Sequence, residues 1–205
     1  MTRIKICGIT NLEDALRAVE QGVDSLGFIL AASPRQVSPE RVKEIVDNLP
    51  PFINKVGVFV DEELAKVKEI VSYCGLDTVQ LHGSESPEYC QEFANLTVVK
   101  AFRIKDQLPL LELKEYAEVV TAYLLDTYVA GQAGGTGETF NWNLAEQAKE
   151  AGPIILAGGL KPENIVSAIR DVAPYGVDVS SGVEKEPGVK DHDRLVELVN
   201  QVNSV

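Results

Sequence analysis

The chain has 205 residues, is 45% hydrophobic and carries 31 acidic against 19 basic residues, a formal charge of −12. That length and composition can bury one sizeable core and predict a single domain over 1–205. The acidic excess argues against a nucleic-acid surface, which needs clustered lysine and arginine, and no apolar run approaches the roughly 20 residues of a membrane span.

Three widely spaced cysteines (Cys7, Cys74, Cys90), without a CxxC pair and with only two histidines, indicate neither a disulfide framework nor a zinc cluster. The N-terminus enters a patterned strand without a signal-peptide core, so a reducing, cytoplasmic setting is expected.

Taken in order, apolar β-branched runs alternate eight times with amphipathic segments. Strands are predicted over 3–7, 25–30, 55–60, 78–81, 98–102, 122–126, 154–157 and 176–180. Helices are predicted over 12–22 behind Thr10-Asn11, 41–49 behind Ser38-Pro39-Glu40, 62–75 behind Asp61 and 89–94 behind Ser86-Pro87-Glu88. Weaker helical patterns follow over 110–116 and 144–150, then one after Lys161-Pro162-Glu163 and a last one over 191–203. Eight β-then-α units, about 25 residues apart, match a (β/α)8 barrel of compact size. An open doubly wound sheet is the alternative, disfavoured because the first turn, CGITN, lacks a GxGxxG fingerprint. The glycine-rich stretch 127–139 (TYVAGQAGGTGET) is the longest predicted loop, of a length that usually serves function.

In such a barrel the active site lies at the C-terminal strand ends. Alternation along each strand then selects the inward-facing polar residues. These are Lys5 and Cys7 on strand one, Gln80 and His82 on strand four, Asp126 on strand six, and Asp178 and Ser180 on strand eight. Two glycine turns, Gly158-Gly159 and Ser181-Gly182, follow strands seven and eight; paired there, they suit a phosphate held by backbone N–H groups.

These residues fall within motifs that resemble the phosphoribosylanthranilate isomerase family: KICGIT, SPR before VSPE, VGVF, QLHG, LLDT followed by GGTG and FNW, LAGGLKPENI, and VDVSSGVE then PGVKD, in order from residue 3 to 191. The resemblance implies a (β/α)8 fold and an Amadori rearrangement of N-(5-phosphoribosyl)anthranilate in tryptophan biosynthesis. It implies Cys7 as general base, Asp126 as general acid, Arg35 as partner of the anthranilate carboxylate, and Gly158, Gly159, Ser180, Ser181 and Gly182 around the phosphate. No metal or organic cofactor is implied, and a monomer or homodimer is expected. The chain departs from the family's pattern at Ala31-Ala32 and Gln36, which flank the arginine, and at Asn141 before Trp142.

Lys5, on the face of Cys7, is expected to lower the thiol's pKa. Other residues have plainer expected roles. Cys74 and Cys90 read as small buried apolar side chains, Asp178 as a buried hydrogen-bonded group, and His82 as fixing a loop. His192 reads as solvated, and Phe140 and Trp142 as anchors of the long loop. The alternatives are another phosphosugar barrel enzyme, either an epimerase or a Schiff-base aldolase using Lys5 or Lys100, and a barrel that binds such a ligand without catalysis.

Overall fold

A computed structural model describes residues 1–105, 107–127 and 142–205, the side chain of Asn143 excepted. The predicted loop beyond Thr127, with Phe140 and Asn141, lies outside the described residues. Eight parallel strands close into a barrel: β1 (Arg3–Cys7), β2 (Ser25–Ile29), β3 (Asn54–Phe59), β4 (Thr78–Leu81), β5 (Thr97–Ile104), β6 (Ala122–Thr127), β7 (Ile154–Leu156) and β8 (Gly176–Val179). The helices between and after them are α1 (Leu12–Glu20), α2 (Pro39–Val46), α3 (Leu64–Cys74), α4 (Pro87–Gln91), α5 (Leu110–Glu115), α6 (Asn143–Ala148), α7 (Pro162–Val172) and α8 (His192–Asn203). The open-sheet alternative is excluded because β1 pairs with both β2 and β8.

Strand alternation divides the apolar residues into two cores. The small inner one holds Val99, Ala101, Ala122, Leu124 and Ala157 inside the barrel. The large outer one, containing Ile4, Ile6, Phe28, Val79, Leu81, Phe102 and Tyr123 among many others, lies between strands and helices. Burial of each such aliphatic or aromatic side chain stabilises by roughly 1.5–3 kcal/mol relative to exposure, so the barrel wall is held mainly from outside. The inside is thereby left to accept polar groups at its rim.

Most helix starts follow their caps. Asn11, Ser38 and Ser86 accept hydrogen bonds from the backbones of Asp14, Arg41 and Tyr89, and Asp191 caps α8 through the N–H groups of Asp193 and Arg194. Asp61 departs from expectation. The cap position of α3 is Glu63, without a side-chain bond, while Asp61 takes a left-handed φ of 49° and accepts from the Ser84 N–H. That bond ties the loop after β3 to the loop after β4. A short hairpin, β9 (Glu184–Glu186) with β10 (Val189–Lys190), follows a 3-10 turn after β8 and was not expected from periodicity. No helix among the described residues is long and apolar enough to cross a membrane.

Candidate active site

Cys7 ends β1 and is buried. One layer below it, Lys5 Nζ donates to Asp178 Oδ1 at 2.9 Å, a bond that the parallel register sets up by placing Lys5 opposite Asp178. Both side chains lie over Gly27 of β2: a Cβ there would stand 2.8 Å from Cys7 Sγ and 2.9 Å from Lys5 Nζ. Burial pushes the Cys7 thiol above its ordinary pKa, and the charge of Lys5 pulls it back only in part. The expected lowering by Lys5 is therefore present as a contribution, but burial outweighs it. Lys5 itself loses by burial yet ends above its ordinary value, because Asp178 and Cys7 favour the ammonium.

Asp126 closes the inner face of β6 opposite Arg103 of β5. Its Oδ1 accepts the N–H of Thr127 at 2.8 Å, and its Oδ2 lies 3.4 Å from His82 Nε2. Gln80 Nε2 contacts His82 Nδ1 at 3.1 Å; where the amide donates, Nδ1 is the acceptor and the ring proton sits on Nε2, on the side of Asp126. Gly158 makes room for this carboxylate, since a Cβ there would stand 2.8 Å from Asp126 Oδ1 and run into Thr127.

Gly158 and Gly159 have φ of 83° and 63°, left-handed conformations that glycine adopts at little cost. Asn164, in the first turn of α7, pins this turn by donating to the Gly159 carbonyl and accepting from the Lys161 N–H, both at 2.9 Å. After β8, Ser181 opens the 3-10 turn, and Gly182 packs so closely on the Leu160 carbonyl that no Cβ fits. The two glycine turns are therefore one surface. Ser180 Oγ beside it is buried without a hydrogen-bond partner among the described residues, which suits an anionic ligand with several acceptor oxygens.

Arg35 reaches the same mouth from the loop after β2, passing over Gly8, where a Cβ would stand 2.7 Å from Arg35 Cδ. Its guanidinium is engaged by Glu184: Nε donates to Oε1 and Oε2 at 2.9 and 3.0 Å, and Nη2 to Oε2 at 2.8 Å. Glu184 in turn accepts from Lys190 Nζ at 2.8 Å.

Cys7, Arg35, Gln80, His82, Asp126, Gly158, Gly159, Ser180 and Ser181 all line one cavity at the C-terminal ends of the strands. Lys5 and Gly182 are not part of its wall; they support it from below and from behind. Asp178 lines it as well as pairing with Lys5.

Residues beyond the sequence expectations are Arg103, Gly27, Asn164, Glu184 and Lys190. For Arg103 the signal was available, since it continues the inward parity of Val99 and Ala101; the others depend on contacts between distant segments. Lys100 faces the helix layer, where Glu85 and three backbone carbonyls hold it, so it cannot serve as a Schiff-base lysine at the mouth. His192 is not simply solvated: its Nε2 lies 2.8 Å from Oδ1 of buried Asp14. Cys74 and Cys90 are buried on helices, their thiols pushed by burial up to about 11. Trp142 packs against the outer core at the start of α6.

Comparison with known proteins bears on this arrangement. The family model described as N-(5'phosphoribosyl)anthranilate (PRA) isomerase matches residues 4–201. An N-(5'-phosphoribosyl)anthranilate isomerase from Geotalea uraniireducens is 53% identical over 206 residues, covering all of both chains. One from Moorella thermoacetica is 50% identical, over 98% of this chain and 90% of its own. Among solved structures, phosphoribosyl anthranilate isomerase from Thermotoga maritima superposes with a TM-score of 0.93 at 43% identity, covering both chains fully. A further structure of the isomerase, in complex with reduced 1-(o-carboxyphenylamino)-1-deoxyribulose 5-phosphate, gives a TM-score of 0.89 at 42% identity, again over both chains fully.

Proposed function

We propose a division of labour at the mouth from the premise that the chain belongs to the N-(5'-phosphoribosyl)anthranilate isomerase family, a family of tryptophan-biosynthetic isomerases: Asp126 is the general acid and Cys7 the general base of an Amadori rearrangement. Asp126 gives a proton to the ribose ring oxygen while the anthranilate nitrogen supplies its lone pair, and the ring opens to an imine. The imine acidifies the proton on C2, and the Cys7 thiolate removes it. The resulting enolamine tautomerises to the ketone, completing conversion of N-(5-phosphoribosyl)anthranilate to 1-(2-carboxyphenylamino)-1-deoxyribulose 5-phosphate without net oxidation. Two groups of different acidity flanking one substrate are what such a pair of proton transfers needs.

The observation that carries this assignment is that Cys7 and Asp126, 119 positions apart in sequence, line one cavity from different strands. Each has a charged or polar neighbour: a lysine below the thiol and the His82 ring beside the carboxyl. The phosphate falls to the joined turns at Gly158, Gly159, Ser180 and Ser181, with Gly182 behind them, and the anthranilate carboxylate to Arg35.

Anthranilate fluorescence falls as the substrate is converted, so turnover can be followed directly. Cys7→Ala and Asp126→Asn should each lose turnover by at least about a hundredfold, the usual scale for a lost proton-transfer group. Full-rate turnover by either variant overturns the role of that residue.

A further inference from the structure

Two buried charges that this reaction does not use stand behind Arg35. Both belong to the hairpin after β8, Glu184 on β9 and Lys190 on β10. The side chain of Glu184 is 4% exposed and that of Lys190 fully buried. Lys190 Nζ donates to Glu184 Oε1, to the Cys7 carbonyl at 2.6 Å and to the Ser180 carbonyl at 3.3 Å. It thus fastens the hairpin to the end of β1 and to the phosphate turn. Glu184 takes the Nε edge of the Arg35 guanidinium, which leaves Nη1 and the second proton of Nη2 as a fork for another carboxylate.

The charges explain why two partners are needed. Arg35 with Glu184 alone is a neutral pair, which draws an anion less strongly than an unpaired guanidinium. Burial pushes Lys190 below its ordinary pKa while Glu184 favours its ammonium; in that form Lys190 restores one positive charge to the group, in a setting with little water to screen it. Although burial opposes its charge, Glu184 stays below the ordinary carboxylate range because Arg35 and Lys190 outweigh that penalty, so it is ionised at neutral pH.

We propose that Glu184 and Lys190 are positioning residues for substrate selection: Glu184 locks Arg35 with one edge turned to the mouth, and Lys190 offsets Glu184 so that this edge still draws an aromatic carboxylate. The proposal rests on the role given above to Arg35. Fixing the guanidinium in advance removes side-chain freedom that binding would otherwise have to take away.

The test compares two inhibitors on the full chain: reduced 1-(o-carboxyphenylamino)-1-deoxyribulose 5-phosphate and the phenylamino analogue lacking the carboxyl group. Glu184→Gln removes a negative charge, which by Coulomb attraction alone would strengthen the preference for the carboxylated inhibitor. With Arg35 no longer locked, that preference should instead fall about tenfold, equivalent to about 1.4 kcal/mol, while affinity for the analogue stays within about twofold. A strengthened preference overturns the proposal. KM should rise by a similar factor, with kcat changing less. Equal weakening of both inhibitors marks a merely structural role and overturns the proposal, as does an unchanged preference. If Glu184→Gln does not fold, Glu184→Asp, with the same charge one methylene shorter, should show an intermediate loss; full preference there also overturns it. A wild-type chain that shows no preference for the carboxylated inhibitor refutes the role of Arg35 itself, a result distinguishable from a failure of Glu184 alone.

Discussion

Gly27→Ala tests whether the thiol is held where chemistry requires it. Gly27 has no left-handed φ, so alanine introduces no backbone strain, and the whole effect comes from one methyl group. That methyl would stand 2.8 Å from Cys7 Sγ, 2.9 Å from Lys5 Nζ and 3.0 Å from Lys5 Cε, whereas such non-bonded contacts are comfortable near 3.5–4.0 Å. Something must move by up to about 1 Å. Lys5 can yield only by stretching its bond to Asp178, which would leave two buried charges poorly paired, and Cys7 can yield only by rotating its single χ angle away from the mouth.

Overpacking of this kind costs about 1–3 kcal/mol, offset by about 0.4–1 kcal/mol from the stiffer unfolded chain. At roughly 2–4 °C per kcal/mol for a chain of this size, Tm should fall by about 10 °C at most. The activity loss should be much larger, since misplacing a reacting group by about 1 Å can cost a hundredfold. KM should change less, because the methyl touches neither Arg35 nor the glycine turns. Fluorescence-monitored turnover alongside thermal unfolding separates the two effects. A variant with wild-type kcat would show that the contact of Cys7 and Lys5 over Gly27 does not control the base, and the reasoning would fail.

Two further substitutions probe the lysines. In Lys5→Met the cation that lowers the Cys7 pKa is gone and Asp178, which raises it, is left unpaired, with Lys190 the remaining cation acting on the thiol. The pKa must rise; since the thiolate predominates only above that pKa and its fraction falls below it, the ascending limb of kcat/KM against pH should move to more alkaline values, and an unmoved limb rules out Lys5 as the tuning group. In Lys100→Met the carboxylate of Glu85, 2% exposed, loses its cation, and breaking a buried pair from one side typically costs about 3–5 kcal/mol. A urea midpoint close to that of the wild type would contradict this account of the pair.

Much of the site was legible because strand parity is a local property. Lys5, Cys7, Gln80, His82, Asp126 and Ser180 could be placed on the inner phase of their strands from alternation alone, and the glycine turns after β7 and β8 from composition. Lys100 and Lys5 show the limit of that reading. Both are strand lysines, yet Lys5 belongs to the inner phase and Lys100 to the outer one, where Glu85 arrives from the next loop to neutralise it. Arg35 shows another. Its motif implied a carboxylate partner, and the fold supplies one of its own, Glu184, from 149 positions away.

The alternation of eight apolar strands with capped amphipathic helices determined the barrel, because burial periodicity and cap chemistry act over a few residues and are written in the local order of the chain. Barrel closure decided the rest. By setting β1 beside β8 it gave Lys5 its acid partner and let a buried lysine from the last hairpin hold the carbonyl that follows the thiol, while the β1–β2 register laid Cys7 over Gly27. Burial reversed the simplest expectation about Cys7, raising its pKa despite the adjacent lysine, since desolvation depends on everything packed around a group and not on its neighbours in sequence.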